Sequence, residues 1–471
     1  MTSAIPNRNI SRRAFVGSAA GAWAGFHIVP RFVLGGPNHV PPSETVNVAL
    51  VGAGGRGLQN ARDLMQLGDV QITTVVDPAE RWDLSAFYYK GVAGRIPVRA
   101  EIEAHFSEKR PGYRCREFSD FRRFLTEDAD VDAVLCATPD HAHAAVSLAA
   151  MRAGKHVYCE KPLTHNIAEA RLVARVARET GAATQMGNQG HANEGIRQTC
   201  EWIWGGAIGE VTQVHAWVSA TRWNPTLQGV PQESQPVPSG LDWDLWLGPR
   251  AMRPFHSSYA PVAWRDYWDF GCGAMGDFGC HDLDAACWAL DLHAPDRVEM
   301  HPAGSMDGQL TPYGEIGYFD FGSRGGKPPV RIHWYSGGLK PPRPEAWPSG
   351  RDLPGRGVLF IGDRGVLFCG GAGGMPELFP ETRSAEFTRP EPTIPRSNGH
   401  HRDWIDAIKG GSPASSHFEY GARLTEITLL GVAALRTRKR LEWDAATMTA
   451  AGVPEAEAVF RGTYRPGWEL T

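Results

Sequence analysis

The sequence predicts an α/β protein in which a doubly wound parallel sheet is followed by an α+β domain with an open, mainly antiparallel sheet. Three observations predict this architecture. A short apolar strand leads through a glycine-rich turn into a helix close to residue 50. Strand-like and helix-like segments then alternate up to about residue 190, as in parallel sheets covered by helices. Beyond that point strand-like runs follow one another with few helices between them, which indicates a mainly antiparallel sheet.

Length and composition limit the classes of protein to which the chain belongs. Its 471 residues are enough for two or three cores, and 42% hydrophobic with 21% charged residues is typical of folded proteins. The formal net charge of -4 gives no support to a nucleic-acid or anionic-membrane partner. The eight cysteines are scattered, so neither a zinc module nor a disulfide framework is predicted. The 16 tryptophans indicate packing in cores and interfaces or the walls of a carbohydrate cleft, and composition does not separate the two.

Residues 1–45 are predicted to be a targeting signal and a linker. Residues 11–15 read Ser-Arg-Arg-Ala-Phe, which matches a twin-arginine export signal; the alternative is an ordinary basic N-terminus. The apolar run at 16–24 is far shorter than the roughly 20 residues that span a bilayer, so no stable membrane insertion is expected. The signal predicts a periplasmic protein that the twin-arginine export machinery carries in the folded state. Its cofactor is then expected to be tightly bound, because no pool for exchange is evident outside the cytoplasm.

The two domains are predicted at 46–165 and 166–471, the second being a substrate and oligomerisation domain. In the first domain, strands are expected at 46–51, 70–76, 131–136 and 156–159, with helices at 58–67 and 142–152. A helix at 167–179 and a strand at 183–186 are expected to form the joint. In the second domain, strands are expected at 211–218, 316–321, 330–334 and 358–361. Closing helices are expected at 401–409 and 420–436, in a position to pack back on the first domain.

A glycine-rich turn follows the first strand. It reads Gly-Ala-Gly-Gly-Arg-Gly, and the residues expected to hold a cofactor are Gly52, Gly54, Gly55, Arg56 and Gly57. Such glycines make the tight turn, let the backbone approach a pyrophosphate and allow close helix–strand packing, while the helix N-terminus attracts phosphate. The turn therefore predicts a Rossmann dinucleotide-binding domain. The alternative is a glycine turn without a ligand.

Asp77 ends the second predicted strand, 20 residues after Gly57 (77 − 57). An acid at this position accepts hydrogen bonds from the ribose hydroxyls of adenosine and repels a 2′-phosphate. The sequence therefore favours NAD over NADP. The nearby Arg81 keeps NADP open as the second choice.

A Glu-Lys-Pro run, formed by Glu160, Lys161 and Pro162, follows the strand at 156–159. The carboxyl edge of a parallel sheet is where open α/β sheets bind ligands. Lys161 is therefore expected to hydrogen-bond a substrate hydroxyl or to lower its pKa. A surface ion pair is the alternative.

Asp277 and His281 are four residues apart, which places both on one face of a helix. A carboxylate beside an imidazole raises the basicity of the imidazole, as needed to take a proton from an alcohol. The alternative is a structural histidine. The histidines at 141, 143, 191, 400 and 401 follow no metal-ligand spacing, so no catalytic metal is expected.

Three stretches give the chain a resemblance to the Gfo/Idh/MocA oxidoreductases. They are the glycine turn, the run Thr138-Pro139-Asp140-His141-Ala142-His143, and the run at 153–162, which reads AGKHVYCEKP. The pattern Gly-Asp-x-Gly-x-His at 276–281 extends the resemblance into the second half of the chain. With its twin-arginine signal, the chain is most similar to the exported, glucose–fructose oxidoreductase-like subgroup.

The resemblance implies an active site in the cleft between a Rossmann domain and an open-faced sheet domain. It implies that Lys161 is the catalytic lysine, His281 the proton acceptor and Asp277 the partner of His281. It also implies a set of residues that border the cofactor, namely Thr138, Pro139, His143, Glu160 and Lys161. Substrates in this family are mostly sugars, sugar derivatives and cyclitols, and its members often form homo-oligomers through the open sheet.

Three further residues, Asn188, His191 and Arg265, are candidate substrate contacts, with a structural polar network as the alternative. The main prediction is hydride transfer between a sugar or cyclitol hydroxyl and a tightly bound NAD. One alternative is a glycoside-cleaving enzyme that oxidises its substrate transiently and eliminates the aglycone. A second alternative is a non-catalytic sugar-binding or cofactor-binding protein.

Overall fold

The computed structural model describes residues 41–304 and 307–470. The predicted twin-arginine signal and the apolar run behind it lie outside these residues. Within them, no helix is both long enough and apolar enough to cross a membrane.

The first half of the described chain folds around a parallel sheet, because short β-branched, apolar runs alternate with amphipathic segments. Its six strands are β1 (Val46–Val51), β2 (Val70–Val76), β5 (Arg116–Phe118), β6 (Ala133–Cys136), β7 (His156–Glu160) and β8 (Thr184–Gly187). A separate ribbon pairs β3 (Trp82–Asp83) with β4 (Val92–Ala93). The strand order in the sheet is β5-β2-β1-β6-β7-β8, and every neighbouring pair is parallel.

Helices cover both faces of this sheet. They are α1 (Gly55–Met65), α2 (Arg95–Ser107), α3 (Phe121–Glu127), α4 (His143–Arg152) and α5 (Ile167–Thr180). Successive side chains of β1 enter opposite apolar cores, since Val48 and Leu50 join one cluster while Ala49 and Val51 join the other. The arrangement confirms the predicted doubly wound parallel sheet.

The first sheet continues beyond residue 165. Helix α5 begins at a capping box in which Asn166 and Glu169 each satisfy a backbone N–H of the other. It ends at Gly181, whose φ of 66° reverses the chain into β8, and β8 pairs with β7. The predicted boundary at 165 therefore falls one helix and one strand too early, because α5 is a crossover helix of the sheet.

The second half of the described chain forms an open sheet. Its nine strands are β9 (Val211–Val218), β10 (Arg297–Ala303), β11 (Gly314–Phe321), β12 (Val330–Tyr335), β13 (Arg356–Gly362), β14 (Gly365–Gly370), β15 (Pro376–Phe379), β16 (Leu441–Asp444) and β17 (Thr449–Ala450). The order is β15-β14-β13-β9-β12-β11-β10-β16-β17. The pair β9–β12 is parallel and the other pairs are antiparallel, which confirms the predicted mainly antiparallel sheet.

Several helices of the second half also pack against elements of the first half. They are α6 (Glu194–Trp204), α7 (Trp243–Leu247), α8 (Gly273–Asp282), α9 (Asp284–Leu290), α10 (Glu381–Glu386), α11 (His400–Ile408), α12 (Phe418–Thr437) and α13 (Ala456–Arg461). Helix α12 packs against α5, α8 and β10, so it lies between the halves. Helix α11 returns to the first sheet, where Trp404 is fully buried and Arg402 pairs with Asp69 at 2.6 Å.

Candidate active site

A cleft opens where the carboxyl ends of β1, β2, β6 and β7 face residues of the second half. The segments after these strands contribute the glycine turn, Asp77, Thr138 and Lys161 to its lining. Helix α8 and the segment before it form the opposite wall, and the cavity has a volume of about 310 Å³. This is the position at which open parallel sheets bind ligands.

The glycine turn has the close approaches that its sequence predicts. Gly52 has a φ of +93°, and a Cβ there would lie 2.6 Å from the backbone of Ala137 and Thr138. A Cβ on Gly57 would lie 1.9 Å from the carbonyl oxygen of Gly52, so Gly57 permits helix–strand packing and does not line the cleft. The cleft is lined here by Gly52, Gly54, Gly55 and Arg56.

Asp77 is buried beside the glycine turn. Its two carboxylate oxygens accept hydrogen bonds from the backbone N–H groups of Ala53, at 2.7 Å, and Ala79, at 2.8 Å. Burial raises the pKa of Asp77 to about 6, although these hydrogen bonds and the charge of Arg95 oppose the rise. The carboxylate lines the cleft and also ties the turn to the end of β2, a second role that its sequence position did not predict.

An aromatic row begins in the lining of the cleft and consists of Tyr89, Tyr88 and Trp223. A Cβ on Gly55 would lie 2.2 Å from Cγ of Tyr89, so the tyrosine ring rests directly on the start of α1. The ring centroids of Tyr89 and Tyr88 are 4.0 Å apart, and Tyr88 stacks on Trp223 at 5.4 Å. No sequence motif predicts this row, because its members come from two separate loops.

Glu160 is the buried centre of a polar cluster at the end of β7. Its Oε1 accepts hydrogen bonds from Arg56 Nε, Asn60 Nδ2 and Gln189 Nε2, each at 2.9 Å. Burial would raise the pKa of Glu160, but the charge and hydrogen bond of Arg56 lower it to about 2. The cluster fixes the first turn of α1 to the strand end that carries Lys161.

Glu160→Gln is expected to reduce the free energy of unfolding at pH 7 by about 3 kcal/mol, because it leaves Arg56 without its anion. The folded-state pKa lies below the usual 4.5, so the stabilisation is present above pH 4.5 and is lost as pH falls towards 2. Urea unfolding at pH 7 and pH 3 measures both the loss of unfolding free energy and its dependence on pH. Glu101→Gln is the control, since its pair with Arg62 is exposed and its loss should change little. Equal effects of the two variants would contradict the burial argument.

Lys161 forms a hydrogen-bonded ion pair with Asp277 across the cleft. The other carboxylate oxygen of Asp277 lies 3.3 Å from Arg265 Nε. Burial would raise the pKa of Asp277, but the charges of Lys161 and Arg265 hold it below its usual range. Burial would lower the pKa of Lys161, and Asp277 reverses that effect and raises it. All three side chains therefore stay ionised at neutral pH.

His281 lies on α8 with Asp277, as their spacing predicts, but the two do not form the predicted hydrogen-bonded pair. Nδ1 of His281 is buried and has no hydrogen-bond partner among the described residues. Burial lowers the pKa of His281 well below its usual value, and the charges of Lys161 and Arg356 lower it further. The prediction that Asp277 partners His281 is wrong, because the carboxylate turns instead to the two cations. His281 lines the cleft as a neutral imidazole.

Arg356 reaches the cleft from β13. Its Nε donates to both carboxylate oxygens of Asp282, at 2.9 and 3.0 Å, and its guanidinium lies 5.3 Å from the ring centroid of Phe278. Its Nη2 is buried with no acceptor in the part of the chain that the structure describes. This group has a hydrogen bond left to donate to a water molecule or a ligand in the cleft. No motif surrounds Arg356, so nothing in the sequence marks it as a residue of the cleft.

Asp140 is a second residue whose role the sequence did not reveal, although it lies in the run that begins at Thr138. It is buried in the cleft wall, where its Oδ2 accepts the N–H of Cys272 at 3.1 Å. Burial, and next the charge of Asp277, raise the pKa of Asp140 to about 7. Its carboxyl group therefore changes charge near neutral pH, about one pH unit above that of Asp77.

Asp140→Asn is expected to stabilise the protein at pH 8.5 by up to ~4 kcal/mol and to have little effect at pH 4. The folded-state pKa is raised, so the wild type loses stability as pH rises from about 4 to about 7, while the amide does not titrate. Denaturant unfolding across this pH range measures the difference. Asp130→Asn, at a side chain that is 84% exposed, is the control. A difference in unfolding free energy that does not depend on pH would contradict the raised pKa of Asp140.

His143 joins the segments after β6 and β7. Its two ring nitrogens lie 2.7 Å from the carbonyl oxygen of Pro162 and 2.9 Å from that of Thr138. Cys136, Cys159 and His143 bring their ligand atoms within 4.8 Å of one another, but the two carbonyls already occupy both imidazole nitrogens. His143 therefore positions the loop that Thr138 and Pro139 present to the cleft.

Asn188 and His191 do not reach the cleft. Both contact the buried carboxylate of Asp284, Asn188 Nδ2 at 2.9 Å and His191 Nδ1 at 3.0 Å, and Tyr420 donates to the same group. The ring of His191 stacks on Trp288 at 4.2 Å. The prediction that they are substrate contacts is wrong, because the chain after β8 turns inward towards α9. Arg265, the third candidate, does line the cleft.

The fold and the site together define a two-domain protein with a dinucleotide cleft. One sequence model, described as the NAD-binding Rossmann fold of an oxidoreductase family, matches residues 46–188. A second, described as the C-terminal alpha/beta domain of the same family, matches residues 207–318. Together the two matches span more than half of the chain. The chain belongs to the Gfo/Idh/MocA oxidoreductase family.

Individual relatives match parts of the chain. The 1,5-anhydro-D-fructose reductase of Ensifer adhaerens is 28% identical over 205 residues, 42% of this chain and 50% of that protein. The levoglucosan dehydrogenase of Pseudarthrobacter phenanthrenivorans is 24% identical over 244 residues, 52% of this chain and 50% of that protein. The chain thus spans about half the length of these relatives.

Solved structures share the fold. The WlbA dehydrogenase of Bordetella pertussis, in complex with NADH and UDP-GlcNAcA, superposes with a TM-score of 0.56 at 16% identity. The superposition covers 84% of this chain and 97% of that one. At this level of identity the likeness concerns the fold.

Proposed function

We propose that the protein is an NAD-dependent oxidoreductase that moves hydride between a carbon bearing a hydroxyl group and a tightly held nicotinamide. The carbon belongs to a sugar, a sugar derivative or a cyclitol. The observation that carries this proposal is the convergence of Lys161, Asp277 and His281 at one end of a cleft built on a glycine turn. The names of the anhydrosugar reductase and the levoglucosan dehydrogenase support the substrate class.

The cleft fits a dinucleotide. The N-terminus of α1 offers its backbone N–H groups to the pyrophosphate, and Asp77 offers oxygens to the adenosine ribose. The residues that would border the nicotinamide end are Thr138, Pro139, His143, Glu160 and Lys161. NAD, when bound, supplies the acceptor for the hydride.

The side chains that line the cleft have separate roles in the proton transfer. The Lys161 ammonium donates a hydrogen bond to the reacting oxygen and stabilises negative charge on it. Neutral His281 accepts the hydroxyl proton as the hydride leaves the same carbon, so the alcohol becomes a carbonyl group. Asp277 keeps Lys161 protonated and in place, which makes it a positioning residue. Arg265 and Arg356 donate hydrogen bonds to other oxygens of the substrate.

We further propose that the NAD is loaded before export to the periplasm through the twin-arginine route and stays bound. A homo-oligomer formed through the open sheet is the proposed assembly. Denaturing the purified full-length protein and identifying the released nucleotide tests the cofactor. NAD close to one per chain after gel filtration is expected. Empty protein or NADP would contradict the proposal.

A panel of sugars and cyclitols, followed by the absorbance of bound NADH, tests the reaction. Reduction of the bound nucleotide by at least one of them is expected. Release of an aglycone from a nitrophenyl glycoside without net NADH would indicate the glycoside-cleaving alternative. Sugar binding without either change would indicate a non-catalytic binding protein.

A further inference from the structure

A second chamber adjoins the cleft. Its volume is about 250 Å³. Arg265, Asp277 and Phe278 line both spaces, so these side chains form the partition between them. The chamber therefore begins at the carboxylate that holds Lys161.

The lining of the chamber combines polar and aromatic groups. Thr221, Thr311 and Asp266 contribute oxygen atoms, and Trp223 contributes an aromatic face. Trp223 is 37% exposed, although it is among the largest apolar side chains of the described chain. An exposed indole beside hydroxyl and carboxylate groups is typical of a site for a sugar ring, whose C–H face stacks on the indole and whose hydroxyls need polar partners.

The segment that presents Trp223 is rigidly held. The carboxylate of Asp266, which is buried, accepts the backbone N–H groups of Trp223 and Asn224, each at 2.8 Å. Arg222 is anchored by the carbonyl oxygens of Thr311, at 3.2 Å, and Leu227, at 2.8 Å. Asp266 directly follows Arg265, so one 3-10 turn (Ala263–Asp266) both lines the cleft and fixes the chamber wall.

The aromatic row connects the two spaces. Tyr88 lines the cleft, Trp223 lines the chamber, and their rings stack at an interplanar angle of 16°. The row thus forms a continuous apolar edge along the path from one space to the other. A ligand of two rings joined by a glycosidic bond fits this path better than a single ring does.

Resting on the proposed oxidoreductase function, we propose that the substrate is a glycoside or disaccharide. Its reacting ring occupies the cleft at Lys161 and His281, and its second ring occupies the chamber against Trp223. Arg265 lies at the partition, where it donates hydrogen bonds next to the glycosidic linkage. The chamber selects the substrate and takes no part in the proton chemistry.

The test compares hexoses offered free with the same hexoses in disaccharides, for example glucose with maltose and cellobiose, and galactose with lactose and melibiose. The holoenzyme is expected to prefer a disaccharide by at least tenfold in kcat/KM. Trp223→Ala is expected to reduce that preference about tenfold, which corresponds to the contribution of one stacked aromatic ring to binding. Trp204→Ala is the matched control, because Trp204 is 50% exposed and lines neither space. Equal kcat/KM for free and linked hexoses would overturn the inference while leaving the oxidoreductase function intact.

A second variant keeps the inference testable if Trp223→Ala does not fold correctly. Ala274 lines the chamber and not the cleft, so Ala274→Leu fills the chamber with added side-chain volume. It is expected to weaken disaccharide binding more than monosaccharide binding. Calorimetric titration measures binding and not turnover, so it tests the chamber separately from the oxidoreductase function. A disaccharide preference in binding that Trp223→Ala abolishes supports the chamber even if no sugar reduces the NAD. Equal weakening of both ligands by Ala274→Leu would contradict it.

Discussion

Lys161→Met is expected to lower kcat for hydride transfer by about 10³-fold while the nucleotide remains bound. Methionine keeps an unbranched, flexible side chain that is one atom shorter, and it removes the charge and the three N–H donors. Asp277 then faces the cleft with Arg265 as its remaining cation, so its pKa should rise and the reacting oxygen loses its stabilising charge. The glycine turn and Asp77 are unchanged, so nucleotide retention should be unchanged.

Single-turnover formation of bound NADH measures the loss, and nucleotide content after gel filtration measures retention. Lys327→Met is the control, because Lys327 is exposed on the turn between β11 and β12, away from the cleft. A loss of activity accompanied by loss of nucleotide would show a structural effect. Activity within tenfold of the wild type would contradict the catalytic assignment.

The bounds of several strands were predicted closely because local signals determine them. The predicted ranges of β1, β2 and β9 agree with the structure at both ends, since each is an apolar run bounded by residues that break strands. Which motifs reach the cleft was also predictable. The carboxyl ends of parallel strands meet at one edge, so segments that follow β1, β2, β6 and β7 converge wherever they lie in the chain.

What the sequence did not reveal depends on contacts between distant segments. The helical spacing of Asp277 and His281 correctly placed both on α8, but spacing gives proximity and not the preferred partner. Asp277 contacts Lys161 and Arg265, which approach from other elements and neutralise its charge. Asn188 and His191 follow a strand of the first sheet, and whether such polar residues turn to a ligand or to a buried carboxylate is decided by α9.

The site residues that no motif predicted also depend on contacts between distant segments. Arg356 enters the cleft from β13, and Trp223 lines the chamber from the loop after β9, and no motif marks either residue. Their roles follow from the second sheet, whose strand order places β13 and β9 side by side. The convergence of the sequence motifs on the cleft was therefore readable from the sequence, while the wall that the second sheet contributes required the structure.

His281→Gln is expected to lower kcat about 10²-fold, by the same factor at every pH between about 6 and 8.5. Burial and the charges of Lys161 and Arg356 hold the pKa of His281 well below its usual value. The imidazole is therefore neutral, and ready to accept a proton, across this whole range. A histidine with its ordinary pKa near 6.5 would instead lose its advantage over glutamine as pH falls below that value.

The ratio of wild-type to His281→Gln single-turnover rates, measured against pH, tests this expectation. His301→Gln is the control, since its side chain is 53% exposed on β10 and lines neither the cleft nor the chamber. Any decline in the single-turnover rate near pH 7 that both proteins share would point to Asp140, because its pKa is raised to about 7 and it remains in both proteins. A ratio that falls steeply below pH 6.5 would show that His281 titrates near its ordinary pKa, which would contradict the argument that burial and the two cations keep it neutral.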